Sequence, residues 1–333
     1  MTSKKENGQY FTTVSPFFHP AFVDWAKRCD LKNQVVLEPF AGGNNLIDML
    51  KAEFEIEQYA SFDIEPQRSD VKYNDSFANF PTGFSVCVTN PPYLENTAAS
   101  NKGLAYPKHF QFSNMYKQSI FEISKHVDWF AVIVPSTFIC VSKPRDKKLL
   151  DRCETIVDFG TGLFEDTLQP VCLALFGPKH NQNTKLWDGN HLVGSYSDVF
   201  GKIPSAPKQA WNITNQGQIF FRGYDAVKEK QMGFYEVTPE LLTIYNKSPN
   251  HRNNLMFQIP QTLNIHTPQD IISQSNLVLN RLRFQTHDMI FPPFYNKRTD
   301  GKQRRRAGAT LAKKIMDLAV FELQKNPQKT FFF

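Results

Sequence analysis

Apolar and polar positions along this chain fall into two rhythms. Up to about residue 178, short apolar runs of strand length alternate with stretches of helical spacing. Ser15-Pro16 followed by Phe17, Phe18, Phe22, Trp25 and Ala26 predicts a capped amphipathic helix. Val35-Val36-Leu37 predicts a strand over 34–38, and a glycine turn then leads into a helix over 46–54. Further strands are predicted over 59–62, 71–74 and 84–89. A long polar loop over 94–113 follows, and then a helix over 114–126 carried by Met115, Ile120, Phe121 and Ile123. The unbroken apolar run 129–134 before Pro135 predicts a strand buried on both faces. A helix near 147–152 and strands over 155–159 and 171–176 complete the series. Strands alternating with helices predict an α/β fold, a doubly wound and mainly parallel sheet. After Gly177-Pro178 the pattern changes. Residues 179–333 are rich in Asn, Gln, Pro and isolated aromatics, with short alternating segments at Ile219-Phe220-Phe221 and Phe234-Tyr235-Glu236-Val237. The predicted domains are therefore 1–178 and a smaller, irregular α+β domain over 179–333, with no internal repeat.

Composition adds bounds. The chain has 333 residues, 41% hydrophobic and 21% charged, which describes a globular protein of about two domains. No apolar run approaches the ~20 residues of a membrane span, and residues 1–7 are charged with no apolar segment behind them. The expectation is a cytoplasmic protein, nucleoid-associated if bacterial, with no membrane partner. Cysteines at 29, 87, 140, 153 and 172 are widely spaced and mostly within apolar runs, so reduced, packed thiols are expected and no metal site. The net charge of +6 is unevenly spread: residues 281–314 hold ten Lys or Arg against Asp288 and Asp300. A solvated basic loop would have that composition, and so would a surface that contacts phosphates.

The candidate chemistry sits at the carboxyl ends of the predicted strands, where open α/β sheets bind ligands. Glu38, Asp63, Asp75 and Asn90 all fall there. The turn Ala41-Gly42-Gly43-Asn44-Asn45 lacks the G-x-G-x-x-G spacing of a pyrophosphate loop. A carboxylate ending the second strand, Asp63, about 20 residues past the glycines, is where a ribose diol is held. Together these favour a cofactor containing adenosine. The fourth strand ends in Asn90-Pro91-Pro92-Tyr93. Each proline fixes φ and lacks an N–H, so the corner is a rigid array of an amide, two carbonyls and a phenol ring. Such an array can grip a flat group bearing an amino nitrogen; it can also be a plain turn after a buried strand.

These residues resemble the S-adenosylmethionine-dependent N6-adenine DNA methyltransferases whose motifs run cofactor, catalysis, target recognition (the gamma class), over roughly residues 8–176. Gly8-Gln9-Tyr10-Phe11-Thr12 looks like the N-terminal cofactor motif, and Leu37-Glu38-Pro39-Phe40-Ala41-Gly42-Gly43 like the motif after the first strand. Asp63-Ile64-Glu65-Pro66 is similar to the ribose motif and Asn74-Asp75-Ser76-Phe77 to the adenine motif. Asn90-Pro91-Pro92-Tyr93 matches the catalytic motif unaltered. Pro135-Ser136-Thr137-Phe138, Arg145, Gly162-Leu163-Phe164 and Val171-Cys172-Leu173 resemble the later motifs. Asn44-Asn45 departs from the pattern, and no motif matches in the C-terminal half.

The resemblance implies a seven-stranded sheet, S-adenosyl-L-methionine as cofactor and methyl transfer to an adenine flipped out of double-stranded DNA. Carried over, Asn90 and Pro91 accept the adenine amino hydrogens, Pro92 stiffens the corner, and Tyr93 and Phe164 stack on the base, Phe138 being a second candidate. Tyr10, Phe11, Thr12, Glu38, Pro39, Ala41, Gly42, Gly43, Asp63, Ile64, Asp75, Ser76 and Asn90 hold the cofactor. Lys102 and Lys108, with Arg281, Arg283, Lys297, Arg298, Arg304, Arg305 and Arg306, are the candidates for DNA contact. No nuclease signature is visible, so a separately encoded restriction endonuclease is the expected partner. Rival readings are an RNA-adenine or protein-glutamine N-methyltransferase on the same core, and a DNA-binding module without turnover.

Overall fold

The computed structural model describes residues 12, 14–103, 106–164, 167–181, 183–225, 231–247, 254–263, 266–298, 301 and 303–325. Tyr10, Phe11 and the Phe331–Phe333 run lie outside them. The chain divides into two compact units, Met1–Tyr196 and Ser197–Phe333. The division falls beyond the predicted 178.

The first unit is an α/β fold around a nine-stranded mixed sheet: β1 Val36–Glu38, β2 Tyr59–Asp63, β3 Val71–Tyr73, β4 Val86–Thr89, β5 Trp129–Pro135, β6 Cys153–Gly160, β7 Val171–Phe176, β8 Lys185–Asp188 and β9 His191–Ser195. Their spatial order is β3-β2-β1-β4-β5-β7-β6-β8-β9. Helices α1 Pro20–Arg28, α2 Asn45–Phe54, α3 Asn96–Asn101, α4 Met115–His126 and α5 Pro144–Lys147 belong to this unit. Two strands thus extend the predicted seven, and β7 runs antiparallel to both β5 and β6. The extension has a local cause. Asp188-Gly189-Asn190 turns β8 into β9, with Gly189 at φ 53°, the left-handed geometry that glycine adopts without a Cβ clash. The strands β4 and β7 are buried throughout, and β5 all but its first residue, as continuous apolar runs at a sheet centre require.

The first helix starts later than predicted. It begins at Pro20, and His19 caps it, Nδ1 accepting the Ala21 N–H at 3.1 Å. Ser15 instead donates to Glu53 on α2 and accepts the Phe17 N–H, a local turn in front of the helix. Trp25, fully buried, donates its indole N–H to the Phe176 carbonyl at 2.8 Å and so seats α1 on β7. The helix expected near 147–152 is α5 followed by a 3-10 turn, Lys148–Leu150. The predicted loop 94–113 contains α3, and its ends are tied by the Asn96 N–H to Ser113 bond.

The second unit is more regular than its composition suggested. Helix α6, Tyr196–Gly201, spans the division between the units. A four-stranded antiparallel sheet follows, β10 Asn212–Ile213, β11 Ile219–Arg222, β12 Gly233–Glu236 and β13 Asn254–Gln258, in the order β10-β13-β11-β12. Phe220, Met256 and Leu241 of α7 (Pro239–Lys247) form one core cluster. Two long helices, α8 Pro268–Gln285 and α9 Ala309–Lys325, pack together, and a ribbon joins β14 Pro293–Lys297 to β15 Gln303–Arg305. Thr267 and Asp270 form a reciprocal capping box at the start of α8, with Pro268 in the first turn. Among the described residues no helix is long and apolar enough to cross a membrane.

Candidate functional site

Strand order reverses in sequence between β1 and β4, with β2 and β3 on one side and β5 on the other. At such a switch point the loops leave in opposite directions and open a crevice beyond the carboxyl ends. A cavity of about 360 Å³ lies there. Its walls include Thr12, Glu38, Asp63, Asp75, Asn90, Pro91 and Pro92, with Pro39, Ala41, Gly42, Ile64 and Ser76 among the remaining lining residues. Residues from sequence positions as far apart as 12 and 115 therefore meet in one place. The walls hold four carboxylates, Glu38, Asp63, Glu65 and Asp75, and no described Lys, Arg or His.

The first-strand acid, Glu38, forms the floor. It is 1% exposed, and its Oε1 accepts the Thr89 hydroxyl and the Phe40 N–H. Burial, with a small contribution from Asp63, pushes its carboxyl up to about 8 against those two hydrogen bonds. Asp63, also buried, braces the glycine turn. One oxygen accepts the Gly42 N–H at 2.7 Å and the other the Glu65 N–H at 2.8 Å. A carboxylate has about four lone-pair sites, so each oxygen can accept a further hydroxyl. Asp75 accepts the Phe77 and Ala78 N–H groups through Oδ1. Ser76 donates to the Pro39 carbonyl, tying the end of β3 to the end of β1.

The departure Asn44-Asn45 has a structural reason. Asn44 is fully buried at φ 63°, accepts the Ser61 hydroxyl at 2.7 Å and donates to Asp70 at 3.1 Å. It locks the turn into α2, in the left-handed geometry that Asn tolerates better than most residues. Asn45 lines the cavity and donates to the Thr12 carbonyl at 3.2 Å, holding the N-terminal segment beside it. Gly43 is not among the lining residues; its carbonyl faces Arg68.

At the proline corner the Asn90 amide is held at both ends. Nδ2 donates to the Thr12 hydroxyl at 3.4 Å, and the Tyr93 hydroxyl lies 2.6 Å from Oδ1. That hydroxyl is also 3.0 Å from the Ile133 carbonyl. A phenol has one hydrogen, so it serves one of these acceptors at a time. Tyr93 and Phe164 do neighbour each other, but as a tilted pair with centroids 6.5 Å apart and planes at 58°. Both are buried, and neither lines the cavity. A base stacked between two rings needs them parallel and roughly 7 Å apart, twice an optimal carbon contact, so these rings must part to admit one. Phe138 packs fully buried against Tyr116.

Three of the predicted DNA-contact arginines are engaged within the second unit, Arg304 and Arg305 buried and Arg283 half-buried. Arg283 forks onto both oxygens of Asp225, at 2.8 and 2.9 Å, and onto both of Asp288. Arg304 is buried and donates to the Asp225 carbonyl at 2.6 Å; Arg305 is buried, and its backbone N–H meets the Asp225 carboxylate. They are taken off the surface because a fully buried Asp225 requires compensating charge and hydrogen bonds. Arg281 is exposed and pairs with Glu322 across α8 and α9. Lys297 and Arg306 are exposed and Arg298 is half-buried; in the first unit Lys102 and Lys108 are exposed. Leu46, Leu94 and Met115 also line the cavity and stand outside every motif named from the sequence, while Asn45, Glu65 and Phe77 line it without having been assigned a role. Phe77 immediately follows Asp75-Ser76, which was the available signal.

No family model matches the chain, and no curated protein does. Among solved structures it is similar to the type I restriction-modification methyltransferase subunit from Streptococcus thermophilus, at 15% identity over 54% of this chain and 49% of that one, TM-score 0.36. It is similar to the M protein of the type I restriction enzyme EcoKI at 9% identity, over 78% of this chain and 68% of that one, TM-score 0.35. The DrdV–DNA complex aligns at 13% identity over 55% of this chain and 28% of that one, TM-score 0.43. The chain spans about half or less of the length of several of the structures it matches. Likeness of this depth assigns no function, which has to come from the cavity.

Proposed function

We propose that the protein is a site-specific methyltransferase that moves the methyl group of S-adenosyl-L-methionine to the N6 amino group of an adenine flipped out of duplex DNA. The supporting observation is the acid-walled cavity abutting Asn90-Pro91-Pro92 at the switch point. Carboxylates without a neighbouring base repel a pyrophosphate and attract a cation rich in hydroxyl and amino donors, so the donor set fits a sulfonium nucleoside better than a dinucleotide. When bound, that cofactor supplies an electrophilic methyl group. Asp63 retains lone pairs for a ribose diol, Asp75 has an oxygen left over for an adenine amino group, and Glu38 faces the amino-acid end.

The chain's contribution to the transfer is positioning. An adenine amino nitrogen is a poor nucleophile because its lone pair is delocalised into the ring. The Asn90 Oδ1 and the Pro91 carbonyl each accept one of its hydrogens, which favours a tetrahedral nitrogen with a localised lone pair. These are fixed dipoles aimed at charge that develops during transfer. Thr12 meets the Nδ2 end of the amide, which leaves Oδ1 on the side of the Tyr93 hydroxyl. The second unit takes the role of target recognition, with a separate restriction endonuclease as partner.

The test is transfer of labelled methyl to duplex DNA, structured RNA and protein, read beside calorimetric cofactor binding. Duplex DNA is the expected acceptor, modified at adenine. Asn90→Ala is expected to lower transfer by roughly 10²-fold or more, as loss of one preorganised polar contact does, with cofactor affinity within a few fold. Incorporation confined to RNA or protein, or no cofactor binding, refutes the proposal.

A further inference from the structure

We propose that Arg222 and Asn254 form a phosphate-binding site in the second unit. The two residues stand opposite each other in the antiparallel pairing of β11 and β13, so their side chains leave the same face of the sheet a few ångströms apart. Both are more than nine-tenths buried, at 5% and 7% exposure. The Arg222 Nε and Nη2 atoms and the Asn254 Oδ1 atom are sealed from solvent and have no hydrogen-bond partner. Arg283 shows how this unit otherwise treats a buried guanidinium, with two carboxylates fully engaged; among the described residues no carboxylate pairs with Arg222.

The identity of the unpaired atoms points to the ligand. The Nε–H and one Nη2–H lie along one edge of the planar guanidinium and point the same way. That edge matches two oxygens of one anion. A buried charge with that edge empty is costly, and a bound anion removes the cost. The neighbouring groups favour a phosphate over a single carboxylate. The Arg222 guanidinium carbon lies 5.8 Å from the Tyr224 ring, Tyr224 stacks on Phe294 at 21°, and Arg304 approaches Phe294 to 4.8 Å. Two cations beside one aromatic pair suit a dianion, or a nucleotide phosphate whose base stacks nearby. The Asn254 amide completes the site, since a half turn presents either an acceptor or a donor. The site stands independently of the methyl-transfer reading.

The experiment uses the full chain and inorganic phosphate as probe, following the thermal transition of the second unit at constant ionic strength with chloride as the balancing anion. A saturable rise in the wild type is expected. Arg222→Lys keeps a positive charge but lacks the two-hydrogen edge, and is expected to weaken apparent phosphate affinity at least 10-fold; Arg222→Met should abolish it. Circular dichroism separates a variant that fails to fold from one that fails to bind, and the Lys variant carries the test if the Met variant unfolds. A second arm measures duplex oligonucleotide binding against salt. A backbone phosphate in the site predicts a salt slope smaller by about one in Arg222→Met, which removes the charge; an unchanged slope in that variant, with phosphate binding intact in the wild type, assigns the site to free phosphate. No phosphate-dependent shift in the wild type, or equal shifts in all three proteins, overturns the proposal and leaves water as the occupant.

Discussion

Replacing Glu38 by Gln should remove a pH dependence from the stability of the first unit. Glu38 is sealed in the cavity floor, and burial raises its carboxyl from the ordinary 4.5 to about 8. A carboxyl raised in the folded state favours folding only while protonated. Its contribution is therefore complete below pH 4.5, declines as pH rises, and is gone above about 8. The decline between those limits is about 1.4 kcal/mol per pH unit, or about 2.5 kcal/mol between pH 6 and 8. For a unit of this size that corresponds to a fall of roughly 5–10 °C in Tm. Glutamine stays neutral, and its Oε1 can accept the same Thr89 hydroxyl and Phe40 N–H. The assay is thermal unfolding of both proteins without cofactor from pH 6 to 9. The Tm difference, variant minus wild type, should widen by roughly 5–10 °C up to pH 8 and then level off. A difference that stays constant to within about 2 °C would show that Glu38 ionises normally, through water entry or movement of the floor, and would refute the reasoning.

Two further outcomes follow from the placement of charge in the second unit. Asp225→Ala should destabilise that unit by about 3–5 kcal/mol in urea denaturation, because Arg283 keeps only Asp288 as a partner while the Arg305 and Met232 N–H groups lose their buried acceptor. Burial alone would raise the Asp225 carboxyl, but the Arg283 bonds outweigh it and hold it below 3.8, so this stability is present above pH 3.8 and lost on further acidification; a cost under about 1 kcal/mol would contradict the geometry. By contrast, Lys297→Ala combined with Arg306→Ala should leave stability nearly unchanged and reduce the salt slope of duplex DNA binding by about one per charge. An unchanged slope would place the phosphate contacts elsewhere.

Strands β1, β4, β5 and β7 were legible because each is a short apolar run between turn signals, and burial on both faces writes itself directly into sequence; in β3 only Val71 is buried, and its place in the alternation was the signal. The gathering of Glu38, Asp63, Asp75 and Asn90 was legible for a related reason: residues at the carboxyl ends of neighbouring strands must meet. The hairpin of β8 and β9 was written in Asp188-Gly189-Asn190, yet the surrounding Asn and Pro masked it. Helix α8 was hidden similarly. Its Thr267–Asp270 box and the spacing of Ile271, Ile272, Ser275, Val278, Leu279 and Leu282 are helical, but its other faces are polar and Ser275 interrupts the stripe. The arginines could not be sorted locally at all. Arg283 and the Arg305 backbone meet Asp225 across 58 and 80 residues of sequence, so composition marked a basic segment without separating its interior from its surface.

The electrostatics of the two units bear on what each can bind. A cavity walled by four acidic side chains and no described base disfavours a phosphate-bearing cofactor, while the exposed Lys297 and Arg306 are suited to a polyanion. Within the cavity, Glu38 sharpens the distinction. Its ionisation is opposed by burial when the floor is empty, and a cationic ligand beside it reverses that penalty by attracting the charged form. The Glu38→Gln variant carries no ionisation for that ligand to draw out. A site whose floor is costly to ionise alone and favourable to ionise beside a cation discriminates by charge as well as shape. The proposed methyl transfer from a sulfonium would gain from that selectivity, because its product has lost the positive charge and should be held less tightly by the same acidic walls.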